Sequence, residues 1–392
     1  MADSPAYDPF DASMHEGPYP TELYRWMRNE CPLYRNDEHD FWALSRFSDV
    51  QTVSRDWQSF SSAGPRGVDL DGTGSEVYGD GNFLEVDPPR HDLLRDIVRR
   101  TFSAKEIAQL EASARDRVGS LLAPMRAGGG GDIGAELCWP LAFDLVMQLL
   151  GVPMADRPYV DRLLLSASAR SAGSAELPDD VRASAAELRD YTTDLVCGGG
   201  DLPPGILQQL AGARADGLLT DAEAPGIGIL LMFAGIEAPA IFAGNAVVML
   251  SEHPDQRAKI RAGEVATEAA VEELIRFQST VQALARTTVA PIQLHGIDLP
   301  EGATVLLVYG AANRDERRWD APDTLDLSRP RQRNLAFGEG LHFCLGAMLA
   351  RLETKVVVET LLTEVPEYAI DGPVKRTVKW CDWGVLSAPI AW

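Results

Sequence analysis

The sequence has too few basic residues for a protein that binds nucleic acid. It contains 36 Lys and Arg against 58 Asp and Glu among 392 residues, which gives a formal net charge of −22 at pH 7. Nonspecific binding of DNA or RNA requires a basic surface, whereas an acidic surface favours solubility. We therefore predict that the protein has no nucleic-acid partner.

Paired cysteines are also lacking. None of the five cysteines stands in a C-x-x-C pair, which argues against a zinc or iron–sulfur site. The odd count and the lack of a signal peptide indicate a reducing compartment, so we predict a cytoplasmic protein. The cysteines are Cys31, Cys138, Cys197, Cys344 and Cys381.

Hydrophobic runs suited to a membrane are missing. Residues 1–20 are polar and rich in proline, so we predict no membrane anchor. The one long apolar stretch, residues 224–250, contains Glu237, Pro239, other polar residues and four glycines. A bilayer span rarely carries such residues at its centre, and a buried central helix is the better interpretation. No repeat or linker divides the chain, so we predict a single domain over residues 1–392.

Helical periodicity dominates the chain, and β patterns are confined to a hairpin at 33–44, to residues 281–309 and to the C-terminal segment. Residues 62–82, rich in Gly, Asp and Ser, are predicted to form a long irregular loop. Thr220 and Glu223 predict a capping box at the start of the central helix. Further helices are predicted at 21–31, 48–55, 91–102, 105–125, 137–150, 158–172, 177–197, 206–215, 254–262, 265–277 and 347–362.

One glycine-rich loop surrounds a single cysteine. It reads Phe337-Gly-Glu-Gly-Leu-His-Phe-Cys-Leu-Gly346, and a helical pattern follows at once. A cysteine at a helix start has its thiolate stabilised by free N–H groups and by the helix dipole. Cys344 could be a nucleophile paired with His342, a core cysteine, or the single sulfur ligand of a haem iron. The residues alone leave these three interpretations open.

Three further patterns are ambiguous when each is taken by itself. Glu273 and Arg276 stand at i,i+3, which is common in surface ion pairs, and Arg329 could be a second cationic partner. His91 and Arg95 share a helix face, either as a solvated basic face or as an anion site.

In the central helix Glu237 is the only ionisable residue between Glu223 and Glu252, and Pro239 is expected to kink the helix near Gly235. Either Glu237 is paired to an arginine, or the deformed helix faces an active site.

These motifs together resemble those of the cytochromes P450, across nearly the whole chain. Phe337-Gly338-x-Gly340-x-His342-x-Cys344-x-Gly346 is similar to the haem-binding loop of that family. Glu273-x-x-Arg276, with Arg329, falls where the family has its structural ion-pair triad. Ala234-Gly-x-Glu237 and Asp87-Pro-Pro-x-His91-x-x-x-Arg95 are similar to its oxygen-binding helix and to its helix C. The resemblance implies the cytochrome P450 fold, mainly α with a smaller β region, in one triangular domain.

The resemblance also implies the cofactor, haem b (heme b, iron protoporphyrin IX), with Cys344 as the axial thiolate and metal ligand. Amides near Leu345 and Gly346 would point at the sulfur, and Gly346 would allow the backbone to approach the porphyrin. Phe337 would pack beside the haem, and Gly338 and Gly340 would permit the turn. The predicted partners of the two haem propionates are His91, Arg95, Arg286 and His342. Glu273, Arg276 and Arg329 would be structural.

The oxygen side departs from the family pattern. Ala234, Gly235 and Glu237 match it, but Ala238 replaces the usual threonine that helps to deliver protons to dioxygen. A substrate hydroxyl or water could replace that alcohol, or Glu237 alone could relay protons. A third outcome is oxidative coupling or ring closure without oxygen insertion, and peroxide-driven turnover is a fourth.

The expected function is a soluble bacterial-type monooxygenase that oxidises a small or medium organic molecule in specialised metabolism; the alternative is an oxidative coupling enzyme of the same fold. Expected partners are dioxygen, a ferredoxin and its reductase, and we expect a monomer. Ferredoxin is expected to dock on the cationic patch of Arg95, Arg99, Arg100, Arg351 and Lys355. The substrate pocket is expected to be lined by residues 62–83 and 166–175 and by Phe233, Ala234, Ala238, Val281, Gln282, Ala283, Leu284, Val385 and Leu386.

Overall fold

A computed structural model describes residues 5–79, 81–170 and 176–392. Its helices are α1 Ser13–Glu16, α2 Thr21–Glu30, α3 Phe47–Arg55, α4 Gly74–Tyr78, α5 Arg90–Arg99, α6 Ala104–Ala108, α7 Glu111–Gly128, α8 Trp139–Leu150, α9 Arg157–Ala167, α10 Asp179–Cys197, α11 Ile206–Ala215, α12 Glu223–Glu252, α13 Pro254–Arg261, α14 Thr267–Phe277, α15 Tyr309–Ala312 and α16 Ala347–Glu364. Its strands are β1 Leu33–Asn36, β2 Phe41–Leu44, β3 Phe60–Ser61, β4 Gly130–Asp132, β5 Ala283–Thr288, β6 Ile292–Leu294, β7 Ile297–Leu299, β8 Thr304–Val308, β9 Ala369–Ile370, β10 Lys375–Arg376, β11 Val385–Ser387 and β12 Pro389–Ala391.

The main sheet has five strands in the order β1-β2-β8-β5-β3. β1 and β2 form the predicted hairpin, with Leu33 opposite Leu44. β8 runs parallel to β2 and antiparallel to β5, which brings the chain around residue 284 beside the N-terminal region. The predicted mainly helical fold with a smaller β region is therefore confirmed.

The central helix α12 begins at the predicted capping box. The Thr220 amide donates to Glu223 Oε2 at 2.8 Å, and the Glu223 amide donates to Thr220 Oγ1 at 3.2 Å. α12 packs against α8 and α16, in the largest hydrophobic cluster. Every residue from 224 to 250 is buried except Ala234, Gly235 and Ala238. Two stretches, Ile133–Leu150 and Glu223–Glu252, are long and apolar enough to cross a membrane by length and composition alone, and both are mostly buried, as core helices are.

Some predicted boundaries were wrong. Residues 62–82 are not wholly irregular, because α4 forms within them. The helix predicted at 91–102 ends at Arg99, where a 3₁₀ turn, Arg100–Phe102, continues the chain. The helix predicted at 158–172 ends at Ala167, and residues 171–175 of the predicted pocket region lie outside the described residues.

The C-terminal segment lies against the middle of α12. The Asn245 amide side chain donates to the Trp383 carbonyl at 3.2 Å, and the Val385 amide donates back to Asn245 Oδ1 at 3.0 Å. β11 pairs with β10, so the turn that contains residues 377–384 projects next to the helix. This arrangement brings charged residues of the turn beside the accessible stretch of α12.

Candidate active site

The cysteine loop is fixed by backbone contacts on both sides. The Cys344 amide donates to the Phe337 carbonyl at 2.8 Å, which closes the loop before α16 begins at Ala347. Gly338 and Gly340 have φ values of 69° and 72°, a left-handed conformation that favours glycine. A Cβ on Gly340 would lie 2.5 Å from the Ser54 carbonyl oxygen, so the loop can press against α3 only with glycine there.

The Cys344 sulfur lies at the N-terminal end of α16 and receives hydrogen bonds from the amides of Gly346 and Ala347. The Gly346 amide is the one that the sequence indicated, while the second donor is Ala347 rather than Leu345. Burial raises the pKa of the Cys344 thiol, and these amides, with the charges of Arg95 and Arg351, act in the opposite direction. The donors are arranged to stabilise a sulfur anion.

Four nitrogen-bearing side chains, the predicted partners of the haem propionates, converge near this loop. The rings of His91 and His342 meet edge to face with centroids 4.7 Å apart. Arg95 donates to the Phe343 carbonyl, and Arg286, only 3% exposed, donates to the Ala285 carbonyl at 2.7 Å. Burial, and then the positive charges of Arg286, His91 and Arg95, lower the pKa of His342 to about 2. The cluster is therefore rich in cations and donors.

The cluster leaves buried nitrogen atoms without hydrogen-bond partners. Among the described residues, His91 Nε2 and both ring nitrogens of His342 have none. Unpaired buried polar atoms are costly, so a site that holds three of them is suited to an acceptor that the protein chain does not supply. A Cβ added at Gly346 would meet nothing within 4 Å, which leaves open space beside the cysteine helix.

The accessible stretch of α12 consists of residues that the sequence assigned to the oxygen side. Ala234 is exposed, and Gly235 and Ala238 are half-buried, although the rest of the helix core is closed. Residues 234, 235 and 238 share one helix face, since i and i+4 lie one above the other. Their accessible surface therefore indicates an internal space along this face.

Glu237 is paired, but with a lysine rather than the arginine that the sequence suggested. Lys379 Nζ lies 3.0 Å from Glu237 Oε2, and the two side chains are 11% and 9% exposed. The same ammonium lies 3.4 Å from the Tyr78 hydroxyl and 4.0 Å from Asp382 Oδ2. Sequence analysis missed Lys379, because a single lysine 142 residues away from Glu237 belongs to no local pattern.

Glu273, Arg276 and Arg329 come together in the interior. Arg276 donates to both carboxylate oxygens of Glu273, at 2.7 and 2.8 Å, and Arg329 Nε lies 3.0 Å from Glu273 Oε1. Glu273 and Arg276 are buried, so this is not the solvated surface pair that the spacing alone would favour. Their structural role stays a prediction.

Two of the predicted pocket residues point elsewhere. Gln282 is 4% exposed and its side chain bonds to the Tyr24 hydroxyl and the Ser279 carbonyl. Ala283 has no accessible surface and packs in the cluster that contains Tyr24. Successive residues of an extended chain alternate faces, so Gln282 lies on the face of Leu284 and Arg286 but is enclosed by its own hydrogen bonds, whereas Ala283 lies on the opposite face.

The other predicted pocket residues differ in their exposure. Val281 and Leu284 are half-buried, and Leu386 is exposed. Phe233 and Val385 are buried; the Phe233 ring meets Tyr78 edge to face at 5.5 Å, and Val385 lies against Gly244 of α12. The part that these residues take in a pocket stays a prediction.

The predicted cationic patch is largely neutralised by acidic partners. Arg351 is paired with Glu272, Lys355 lies 2.9 Å from Glu268, and Arg99 lies 2.8 Å from Asp96. More exposed arginines border a cavity of about 310 Å³ beside the cysteine loop, although each has one acidic partner. These are Arg331 and Arg333, at 65% and 57% exposure.

Comparison with known proteins decides the family. The chain is 36% identical over 367 residues to the putative cytochrome P450 123 of Mycobacterium tuberculosis, an alignment that covers 93% of this chain and 91% of that protein. The chain belongs to the cytochrome P450 family. The cytochrome P450 family model matches residues 205–365, and members of the family are monooxygenases, a class of oxidoreductases.

Solved cytochrome P450 structures match the whole fold. CalO2 superposes with a TM-score of 0.86 at 33% identity, over 99% of this chain and 98% of CalO2. HmtN, a post-tailoring hydroxylase involved in himastatin biosynthesis, superposes with a TM-score of 0.84 at 27% identity, over 97% of this chain and 99% of HmtN. The cytochrome P450 fold predicted from the cysteine loop is thus confirmed.

The residues present fit the haem-thiolate group that this family implies. Haem carries two carboxylates, and the unpaired nitrogens of His91 and His342, with Arg95 and Arg286, offer donors and charge to such a group. Cys344 offers a sulfur ligand whose amide donors are already in place.

Proposed function

We propose that this protein is a haem-thiolate monooxygenase that inserts one oxygen atom of dioxygen into a small or medium organic molecule in a tailoring step of specialised metabolism. The observation that carries the proposal is Cys344, with its sulfur bonded by the amides of Gly346 and Ala347 and its loop bordered by unpaired histidine nitrogens. HmtN, whose structure resembles this one, is a tailoring hydroxylase, which supports the proposed metabolic setting.

The reaction needs two electrons from an external donor. One C–H bond and one dioxygen molecule, with two electrons and two protons, give one hydroxylated product and one water. Haem b, when bound with Cys344 as its ligand, supplies the electron-transfer and dioxygen chemistry. A ferredoxin and its reductase are the proposed donors. The exposed Arg331 and Arg333, beside the 310 Å³ cavity, support docking of an acidic partner there rather than on Lys355.

The protein residues have separable tasks in this proposal. Cys344 holds the cofactor through its sulfur, while His91, Arg95, Arg286 and His342 bind its carboxylates. Ala234, Gly235 and Ala238 leave room for dioxygen and substrate on the accessible face of α12. Glu237 holds or passes a proton at its carboxylate oxygens. The enzyme is proposed to act as a cytoplasmic monomer of one domain.

A second candidate function rests on Ala238. Because the side chain at this position has no hydroxyl, the usual proton delivery from an alcohol is absent. An enzyme that abstracts hydrogen and then couples two carbons, or closes a ring, inserts no oxygen. Such an oxidative coupling enzyme would share the fold and the cofactor described here.

The reduced carbon monoxide spectrum tests the haem-thiolate proposal. We expect the strongly red-shifted band of a thiolate-ligated haem in the native protein and its loss in Cys344→Ser, with Cys31→Ser as the matched control. An unshifted band in the native protein, or purification without haem, would contradict the proposal. Labelled dioxygen then separates the two functions, because label in the product means oxygenation and unlabelled coupled product means coupling.

A further inference from the structure

A cluster of buried charges joins three segments that border the accessible face of α12. Glu237 comes from α12, Tyr78 from the end of α4, and Lys379 and Asp382 from the turn beside the helix. Lys379 Nζ lies 3.0 Å from Glu237 Oε2, 3.4 Å from the Tyr78 hydroxyl and 4.0 Å from Asp382 Oδ2. One ammonium is therefore the common partner of three other groups.

Lys379 keeps its positive charge at this site. Burial acts to lower the pKa of Lys379, but the charge of Glu237, followed by Tyr78, Cys381 and Asp382, outweighs it and raises the pKa well above its usual value. A group that retains its proton so strongly is a poor proton donor. Its contribution is instead geometric and electrostatic, since it holds the Glu237 carboxylate in one place.

Ala238 offers no hydroxyl beside Glu237, at the position where the family has its alcohol. Pro239 has no N–H to donate to the Gly235 carbonyl four residues earlier. Gly235 and Ala238 retain accessible surface. The Gly235 carbonyl and the nearby Glu237 carboxylate are acceptors that suit a bound water, which can then pass a proton.

We propose that Lys379 is the positioning residue for proton delivery in this enzyme, because its ion pair fixes the Glu237 carboxylate next to Ala238, which has no hydroxyl. This inference rests on the proposed haem-thiolate function. A solvent proton reaches a Glu237 carboxylate oxygen, and Glu237 passes a proton to the water at the Gly235 carbonyl. Each turnover takes its two protons from solvent and its two electrons from the ferredoxin.

Two further buried carboxyls, Asp382 and Asp69, interact with Lys379. Burial raises the pKa of both Asp382 and Asp69 to about 7, so these carboxyls exchange protons near neutral pH. Lys379 stands between Glu237 and Asp382 and lies close to both. The titratable and charged groups around the site are Lys379, Tyr78, Asp382, Asp69, Cys381 and Arg170.

Infrared spectroscopy of the ferric protein tests the pairing without turnover. Lys379→Met removes the ammonium, and a buried carboxylate that loses its cation takes up a proton. We expect a new carbonyl band of a protonated carboxylic acid at neutral pH in Lys379→Met. The native protein already carries the bands of other protonated buried carboxyls, such as Asp69 and Asp382, so the new band is read as a difference from the native spectrum. It should be absent from the difference spectra of Lys379→Arg and Lys379→Met/Glu237→Gln. An infrared spectrum of Lys379→Met that matches the native one would overturn the inference.

Peroxide release tests the role in proton delivery. With a plant-type ferredoxin and its reductase, we expect Lys379→Met to release several-fold more peroxide per electron pair than the native protein, and Lys379→Arg to remain close to it. Lys375→Met is the matched control, because Lys375 is an exposed lysine of the same segment. An unchanged peroxide fraction in Lys379→Met would overturn the proposed role, even if the infrared band appears.

Failure of the proposed function is distinguishable from failure of this inference. A native protein that binds no haem, or binds it without the red-shifted carbon monoxide band, contradicts the function before any Lys379 variant is made. If Lys379→Met does not fold, Glu237→Gln must raise the peroxide fraction several-fold by itself. An unchanged fraction there would overturn the inference.

Discussion

The Glu273 carboxylate accepts two hydrogen bonds from the Arg276 guanidinium, 2.7 and 2.8 Å long, inside the protein. Arg276 also donates to the Asn313 carbonyl at 2.9 Å, and the Asn313 side chain accepts the Leu335 amide at 2.7 Å. Leu335 lies two residues before Phe337, the first residue of the cysteine loop. The ion pair is therefore connected to the loop that carries Cys344 through one asparagine.

We expect Glu273→Gln to destabilise the protein strongly. The change leaves Arg276 and Arg329 without a buried countercharge, and breaking a buried pair costs about 3–5 kcal/mol. The matched control is Glu22→Gln, whose partner Arg25 also stands at i,i+3 but on the surface, where a pair contributes roughly 1 kcal/mol or less. Urea denaturation measures the free energy of unfolding of each variant. An equal loss of unfolding free energy in Glu273→Gln and Glu22→Gln would show that burial of the pair is unimportant.

Arg286→Met is expected to weaken haem retention while the protein still folds. Arg286 lies in β5, whose backbone pairing with β8 does not depend on that side chain. A hydrogen bond to a charged group contributes about 1.5–3 kcal/mol, so the rate of haem transfer to an acceptor apoprotein should rise by roughly tenfold or more. The exposed Arg100→Met serves as the control. Equal transfer rates for both variants would remove Arg286 from the carboxylate site.

The Asp69 carboxyl predicts a particular dependence of stability on pH. Burial, followed by the charge of Asp71, raises its pKa from 3.8 to about 7, so the folded protein binds the proton over a range in which the unfolded chain has lost it. Proton binding by Asp69 therefore stabilises the folded protein near pH 4, and this contribution to the free energy of unfolding is lost as the pH rises through about 7. Asp69→Asn cannot ionise and avoids the loss.

The variant Asp69→Asn should therefore gain stability relative to the native protein as the pH rises from about 4 to 7, by roughly 4 kcal/mol at most. Urea denaturation at a series of pH values measures the difference. Asp37→Asn, at a carboxyl that is 90% exposed, should show no such trend. Parallel stability curves for Asp69→Asn and the native protein would contradict the raised pKa.

Restoring the missing hydroxyl should bring no benefit. If Lys379 already fixes Glu237, Ala238→Thr should not lower the fraction of electrons lost as peroxide, and it should match Ala238→Val, which adds the same volume without the oxygen. The measurement is the peroxide released per electron pair supplied by the ferredoxin. A several-fold improvement in the threonine variant alone would show that the alcohol is needed and not replaced.

The sequence predicted features whose residues are close together or follow a strict pattern. The capping box of Thr220 and Glu223 spans four residues, and the cysteine loop spans ten, so their contacts follow from local geometry. The enclosed positions of Gln282 and Ala283 could not be predicted, because the partners that enclose them, such as Tyr24, come from a distant part of the chain.

The charged surroundings of Glu237 could be predicted only in part. The sequence indicates that one carboxylate in an apolar helix needs a partner, since an unpaired buried charge is costly. It does not indicate which of the 36 basic residues supplies it. Lys379, Tyr78 and Asp382 reach Glu237 through tertiary packing, and none of them stands at a helical or strand spacing from it.

The distance in sequence between Glu237 and Lys379 affects the order in which the chain folds during synthesis. Lys379 leaves the ribosome 142 residues after Glu237, a delay of roughly 7 to 28 seconds. In that interval α12 cannot bury its carboxylate beside its cation. The nascent chain is expected to keep this face of the helix open and available to chaperones until the lysine arrives.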